Sequence, residues 1–77
     1  MKKAIFITGG ASGIGRAIAQ RFAKGGWFVG LGDVDEKGMT QTEHLIGLGF
    51  SFAHKFDVRD RAAWDEALDA FSMAAGG

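Results

Sequence analysis

The segment ITGGASGIG, residues 7–15, places four glycines directly behind the short apolar run Ala4–Thr8. An uninterrupted apolar run of this length is typical of a strand that is buried on both faces, as in a parallel sheet. From Ile14 to Ala23, apolar residues recur at helical spacing. The glycines are therefore predicted to lie in the turn between a buried strand and a helix, which limits the fold to a few α/β arrangements.

The same order of strand and helix recurs twice more along the chain. Trp27–Leu31 is a second apolar run, followed by Gly32 and Asp33, and Phe50–Phe56 is a third. Asp35 and Asp60 are placed to cap the helices that follow these runs. Three strand–helix pairs in succession predict an α/β fold of the Rossmann type, with βαβαβα order, a parallel sheet and right-handed crossovers.

Glycine also marks the predicted ends of the first two helices. Gly25 and Gly26 follow the first, and Gly49 follows an apolar series in the second that runs through Leu48. Two further glycines, Gly30 and Gly32, fall in or beside the second predicted strand. Since a glycine in a strand lets a ligand or another backbone come near, we expect this pair to leave room for a bound adenosine.

The composition argues against several classes of function. Nine basic and nine acidic residues cancel, so no charge excess indicates a nucleic acid or a membrane surface as partner. There is no cysteine, which excludes disulfides and cysteine-based zinc sites, and His44 and His54 have no partner at ligand spacing. No apolar run approaches the roughly 18 residues of a membrane span, and the run behind Met1 is too short for a signal peptide. The cytoplasm is the predicted location.

Phosphate is the natural ligand of a glycine turn at a helix N-terminus, because unpaired N–H groups and the positive end of the helix dipole meet there. Gly9 is predicted to form the tight turn, Gly13 to let the backbone approach a pyrophosphate, and Gly15 to let the helix pack closely on the sheet. Ser12 adds a hydroxyl donor. Such a turn is often only a turn, but Asp33, 18 residues beyond Gly15, stands where an acid binds the ribose of a dinucleotide.

The spacing TGxxxGxG separates this loop from the commoner GxGxxG pattern. The stretch TGGASGIGRAIAQRFAKGG resembles the short-chain dehydrogenase/reductase family, and the resemblance continues through GDVDE to FDVRD. In that family the aspartate of the last motif lies beside the adenine and the backbone of the next residue contacts it, roles that fall here to Asp57 and Val58. The predicted cofactor-binding positions are Thr8, Gly9, Ser12, Gly13, Ile14, Gly15, Asp33, Val34, Asp57 and Val58.

The resemblance implies an NAD(P)-dependent oxidoreductase that transfers a hydride between a nicotinamide and an alcohol or carbonyl substrate. NAD is favoured over NADP, because the Asp33 carboxylate accepts from both ribose hydroxyls and repels a 2′-phosphate. Positions that are often basic in NADP-preferring members hold Ser12 and Val34. Arg16 is basic, but we expect it to point along its helix.

The catalytic residues of the family lie further along the chain, in Asn-Ala-Gly and Tyr-x-x-x-Lys segments, and this sequence has no tyrosine. We therefore interpret residues 1–77 as the N-terminal part of a Rossmann domain, ending before the fourth strand and not catalytic alone. In the family strand order 3-2-1-4, the first strand would then be an apolar edge with one sheet face uncovered. The resemblance implies a homo-oligomeric parent protein. A non-catalytic nucleotide-binding module or a degenerate remnant is the alternative, while the GxxGxxG loop of extended relatives does not fit.

Overall fold

The computed structural model describes residues 3–47 and 49–76. Strands and helices alternate in the order β1 (Ala4–Thr8), α1 (Gly13–Lys24), β2 (Phe28–Asp33), α2 (Glu36–Ile46), β3 (Ser51–Lys55) and α3 (Arg61–Ala74). The strands form one parallel sheet in the order β1-β2-β3, in which Ala4 is paired with Phe28 and Val29 with Ser51. The predicted Rossmann-type βαβαβα fold is confirmed.

Short polar side chains begin the second and third helices, as predicted. The Asp35 carboxylate accepts a hydrogen bond from the Gly38 backbone nitrogen at 2.9 Å. Asp60 accepts in the same way from the nitrogens of Ala62 and Ala63, at 3.1 and 3.3 Å. Each cap satisfies backbone donors that the first helical turn cannot pair internally.

The end of α2 differs from the prediction. The helix ends at Ile46 and is capped by Gly47, whose φ of 107° is a conformation that side chains disfavour. The Gly47 nitrogen still donates to the Glu43 carbonyl at 2.9 Å, which completes the last turn before the chain leaves it. The predicted end at Gly49 is therefore wrong, and Leu48 lies outside the described residues.

The central strand β2 divides the core into two layers. Its Val29 and Leu31 are fully buried on the face covered by α1 and α2, where they join Ile7, Ala19 and Met39. Successive side chains of a strand point to opposite faces, so Gly30 and Gly32 belong to the other layer.

Helix α3 covers that second face, against the expectation of an uncovered sheet. The Phe71 ring lies 5.3 Å from Phe6 and 6.0 Å from Phe28, measured between ring centroids. A β-carbon at Gly30 would collide with the Phe71 and Phe6 rings, and one at Gly32 would lie 2.5 Å from the Phe56 ring. The expectation that this glycine pair leaves room for an adenosine is wrong for Gly30, because aromatic rings fill the space there. Gly32 lies against the Phe56 ring on this face but also lines a cavity at the carboxyl end of the sheet.

Candidate functional site

The chain turns sharply in the glycine loop, residues 9–12, which joins β1 to α1. Gly9 and Gly13 have φ angles of +73° and +60°, in the left-handed region that favours glycine. The Gly9 nitrogen donates to the Gly32 carbonyl at 2.9 Å, so the turn stays attached to the end of β2. The predicted tight turn at Gly9 is present.

Gly13 and Gly15 differ in how closely other atoms surround their α-carbons. A β-carbon at Gly15 would overlap the Gly9 carbonyl, because the first turn of α1 rests directly on the backbone of the loop. A β-carbon at Gly13 would meet nothing within 4 Å. Close packing therefore requires the glycine at 15, whereas Gly13 borders open space that a ligand can occupy.

The N-terminus of α1 suits an anion. Its N-cap, Ser12, is exposed and its hydroxyl makes no capping hydrogen bond, so this donor is available to a ligand. The first turn carries no acidic side chain. Ile14, in the same turn, is 80% exposed, which places an apolar surface beside the polar one.

Asp33 lies at the carboxyl end of β2, directly beside this loop. Its Oδ2 accepts from the Ala11 nitrogen at 3.2 Å, and its Oδ1 accepts from the Asp35 nitrogen at 3.1 Å. Two backbone donors thus orient a half-buried carboxylate toward the glycine loop, at the edge of the sheet where α/β proteins bind ligands.

A cavity of about 290 Å³ opens at this edge, close to the roughly 300 Å³ at which ligand clefts begin. Its lining brings together Gly9, Gly32, Asp33, Val34, Phe56, Asp57, Val58 and Arg59. Five of the predicted cofactor positions are among them, and the other five occupy Thr8 and the stretch from Ser12 to Gly15. Val34 and Val58, 59% and 44% exposed, supply apolar walls.

Asp57 is held by an ion pair within the cavity lining. The Arg59 guanidinium lies 2.8 Å from Asp57 Oδ2, and the Arg59 backbone nitrogen donates to Oδ1 at 2.9 Å. Hydrogen bonds from the Arg59 side chain and then its backbone lower the pKa of Asp57 to about 2. Arg61 stands four residues from Asp57, but the turn at 57–59 brings Arg59 closer, so Arg59 is the partner.

Trp64 supports the same segment from α3. Its indole nitrogen donates to the Val58 carbonyl at 2.6 Å, and its ring lies 5.2 Å from the Phe56 ring. In the sequence, Trp64 lies on the apolar stripe of the third predicted helix, a position that by itself indicates only packing. Its indole N–H could have indicated the contact with Val58, because a packed tryptophan ring needs a hydrogen-bond acceptor for this group.

Two residues that support the loop were not identified from the sequence. Arg16 does not point along α1 as expected: its guanidinium contacts Gln41 and Thr42 of α2. Thr42 is fully buried, and its hydroxyl donates to the Gly10 carbonyl. A threonine at a periodic apolar position of α2 was the available signal, since a buried hydroxyl must be paired.

Among residues 3–47 and 49–76, no group of three or more histidine, cysteine, aspartate or glutamate side chains could hold a metal ion. None of the helices described in the structure has the length and apolar character needed to cross a membrane.

A parallel βαβαβα unit with a glycine loop at the first helix and an acid at the end of the second strand defines the Rossmann class of nucleotide-binding folds. Residues 3–77 match the family model described as short chain dehydrogenase, and the chain belongs to this family. It is 42% identical to the 2,5-dichloro-2,5-cyclohexadiene-1,4-diol dehydrogenase LinX of Sphingobium indicum, over 97% of this chain and 31% of that protein. The chain thus spans about a third of the length of this curated relative.

Solved structures show the same fold. A 3-ketoacyl-(acyl-carrier-protein) reductase from Brucella melitensis, complexed with NADH, superimposes with a TM-score of 0.90 at 36% identity, over 96% of this chain and 30% of that one. An actinorhodin polyketide ketoreductase with NADPH gives 0.87 at 28% identity, over 97% of this chain and 30% of that one. Similar structures therefore hold either form of the nicotinamide cofactor.

Proposed function

We propose that this chain is the cofactor-binding part of an NAD-dependent oxidoreductase that acts on an alcohol or a carbonyl compound. The observation that carries the proposal is the Asp33 carboxylate, held 3.2 Å from the Ala11 nitrogen beside the N-terminus of α1. A ribose-binding acid and a phosphate-binding helix end thereby adjoin each other, as a dinucleotide requires.

The loop fits the pyrophosphate. The open space at Gly13, the uncommitted Ser12 hydroxyl and the N–H groups of the first helical turn together offer donors to an anion. Thr8, Gly9 and Gly15 shape the turn that presents those donors, and Ile14 adds an apolar contact. When bound, the nicotinamide supplies or accepts the hydride of the reaction.

The cavity beyond Asp33 fits the adenosine end. Asp33 accepts hydrogen bonds from the ribose hydroxyls, and Val34 and Val58 flank the base. Asp57 lies beside the base, where the resemblance places it. Because Arg59 is paired with Asp57, its charge is not free to offset Asp33. A 2′-phosphate would meet an uncompensated carboxylate, which supports NAD over NADP.

A second part of the proposal concerns the larger protein to which this chain belongs. Since the chain spans 31% of a curated relative, we infer that residues 1–77 form the N-terminal part of a larger dinucleotide-binding domain whose catalytic residues come from other segments. We further propose a homo-oligomer located in the cytoplasm, and the lack of cysteine fits that reducing compartment.

The test uses the protein produced from its complete gene. Titration with NADH and NADPH, followed by nicotinamide fluorescence, is expected to give tighter binding of NADH. NAD reduction is then measured with a panel of alcohols. Failure to bind either nucleotide would overturn the proposal, and tight binding without turnover on any alcohol or the corresponding carbonyl compounds would favour the non-catalytic module.

A further inference from the structure

A buried hydroxyl on α2 holds the glycine loop from behind. Thr42 is 0% exposed, and its Oγ1 donates to the Gly10 carbonyl at 2.7 Å. The same oxygen accepts from Arg16 Nε at 2.9 Å. A hydroxyl has one hydrogen, so the more distant Gly38 carbonyl, at 3.2 Å, is the weaker acceptor.

Arg16 extends the contact to the next peptide. Its Nη2 donates to the carbonyls of Ala11 and Gly38, the second at 3.0 Å. Gly38 keeps the two segments close: a β-carbon there would lie 2.7 Å from the Ala11 β-carbon and 2.8 Å from the Ala11 carbonyl oxygen. Helix α2 is thus set directly against the back of the loop, with no space between them.

Two successive loop carbonyls are therefore tied toward α2. In a planar trans peptide the carbonyl and the following N–H point in opposite directions. Fixing the Gly10 carbonyl turns the Ala11 N–H the other way, where it donates to Asp33. Fixing the Ala11 carbonyl turns the Ser12 N–H away from α2, toward the face of the loop that an anion would approach.

We propose that Thr42 and Arg16 are positioning residues for the dinucleotide, a role that rests on the proposed function. They keep the carbonyl oxygens of Gly10 and Ala11 away from the phosphates, while the N–H groups of Ala11 and Ser12 face Asp33 and the ligand. Oxygens turned outward would repel an anion at the place where it must be bound.

The alternative role for Arg16 is a direct phosphate contact. Its guanidinium already donates to four oxygens of the loop and α2, on Ala11, Gly38, Gln41 and Thr42. Removing a positioning residue should weaken NADH and NADPH by the same factor. Removing a contact to the 2′-phosphate would weaken NADPH alone.

The experiment measures the Kd of NADH and NADPH for variants of the protein from its complete gene, at a temperature where thermal unfolding shows each to be folded. Thr42→Val keeps the shape of the side chain and removes the hydroxyl, leaving a buried carbonyl unpaired. It should raise both Kd values about tenfold. Arg16→Met should act in the same direction, and it leaves the Thr42–Gly10 bond in place should Thr42→Val not fold.

Matched controls separate positioning from general damage. Thr42→Ser restores the hydroxyl and should bind NADH within about threefold of the unaltered protein, a small shift in free energy. Thr40→Val removes an exposed hydroxyl from the same helix, one that donates to the Glu36 carbonyl within that helix, and should leave the Kd unchanged. A substitution that merely destabilises the protein does not change the Kd measured on folded molecules.

The Kd values of these variants either support or overturn the positioning role of Thr42 and Arg16. Equal weakening by Thr42→Val and Arg16→Met, with rescue by serine, supports the positioning role. Folded variants that bind NADH as tightly as the unaltered protein would overturn it, as would a selective loss of NADPH in Arg16→Met. If the unaltered protein bound neither nucleotide, the proposed function would fail first and the positioning role with it.

Discussion

Gly15 rests so closely on Gly9 that a β-carbon built on it would overlap the Gly9 carbonyl oxygen. Both partners in this contact are backbone, so neither can move aside as a flexible side chain could. We expect Gly15→Ala to destabilise the protein by about 2–3 kcal/mol, the upper range for inserting a methyl group into a packed site. Urea unfolding of the variant and the unaltered protein measures the difference.

Gly25 provides the control for that substitution. It caps the other end of α1 with a φ of −81°, and a β-carbon there would meet its nearest neighbours at 3.4 Å, an ordinary contact. Gly25→Ala should change the free energy of unfolding by less than about 0.5 kcal/mol. Equal losses at the two positions would contradict the packing role assigned to Gly15.

Gly13→Val should remove cofactor binding while leaving the protein folded. The side chain would enter the open space where the pyrophosphate is proposed to lie, and the φ of +60° adds a strain of roughly 1–2 kcal/mol. The Kd of NADH, from a fluorescence titration, should rise beyond about 100-fold, or roughly 2.7 kcal/mol. Gly49→Val carries similar strain at a φ of +90° away from the loop and should bind NADH normally.

Asp33→Ala should weaken NADH and relieve the repulsion of NADPH. A hydrogen bond to a charged group is worth roughly 1.5–3 kcal/mol, so the loss in NADH affinity should be tenfold or more. The ratio of the two Kd values is the measurement. Asp69→Ala, which removes an exposed carboxylate from α3, should leave that ratio unchanged. If the unaltered protein already preferred NADPH, the assignment of Asp33 as the ribose-binding acid that favours NAD would be wrong.

Asp57 should titrate well below a free aspartate. Hydrogen bonds from the Arg59 side chain and then its backbone lower the pKa of Asp57 from 3.8 to about 2 in the folded protein. A depressed folded-state pKa contributes stability that is present above the unfolded value and lost as the pH falls through the folded one. The signal of the Asp57 carboxyl carbon, followed by NMR, should therefore titrate with a midpoint near pH 2.

Two arginine variants identify the partner. Arg59→Ala should move the pKa of Asp57 back toward 3.8, because the guanidinium is its main stabilising group. Arg61→Ala, which removes the residue at helical spacing from Asp57, should leave the titration unchanged. A midpoint near 3.8 in the unaltered protein would show that the pair with Arg59 does not form in solution.

The sequence alone predicted the order and type of every element, because buried strands, helical stripes and caps are local patterns. Asp35 and Asp60 were assignable as caps for the same reason, since their bonds reach only two or three residues along the chain. The loop glycines were assignable because the spacing fixes where the backbone must turn.

Contacts between distant segments could not be predicted in this way. The Thr42–Gly10 bond joins residues 32 apart, and only the packing of α2 beside the loop brings them together. Gly30 was wrongly expected to leave room for a ligand. A glycine in the sequence does not reveal which group fills the space beside it, and here that group is the Phe71 ring of α3. The end of α2 was misplaced because two glycines, Gly47 and Gly49, lie within three residues, and only the structure shows which one breaks the helix.

The strand order β1-β2-β3 has a consequence for how the chain assembles. Among the three described strands, each new strand adds to the edge formed by the strand just before it. Chains whose contacts are close in sequence fold faster than those that join distant segments. As the polypeptide leaves the ribosome, β1, β2 and β3 can therefore dock in the order of their synthesis, and the glycine loop is framed by β2 and α2 once the first 47 residues have emerged.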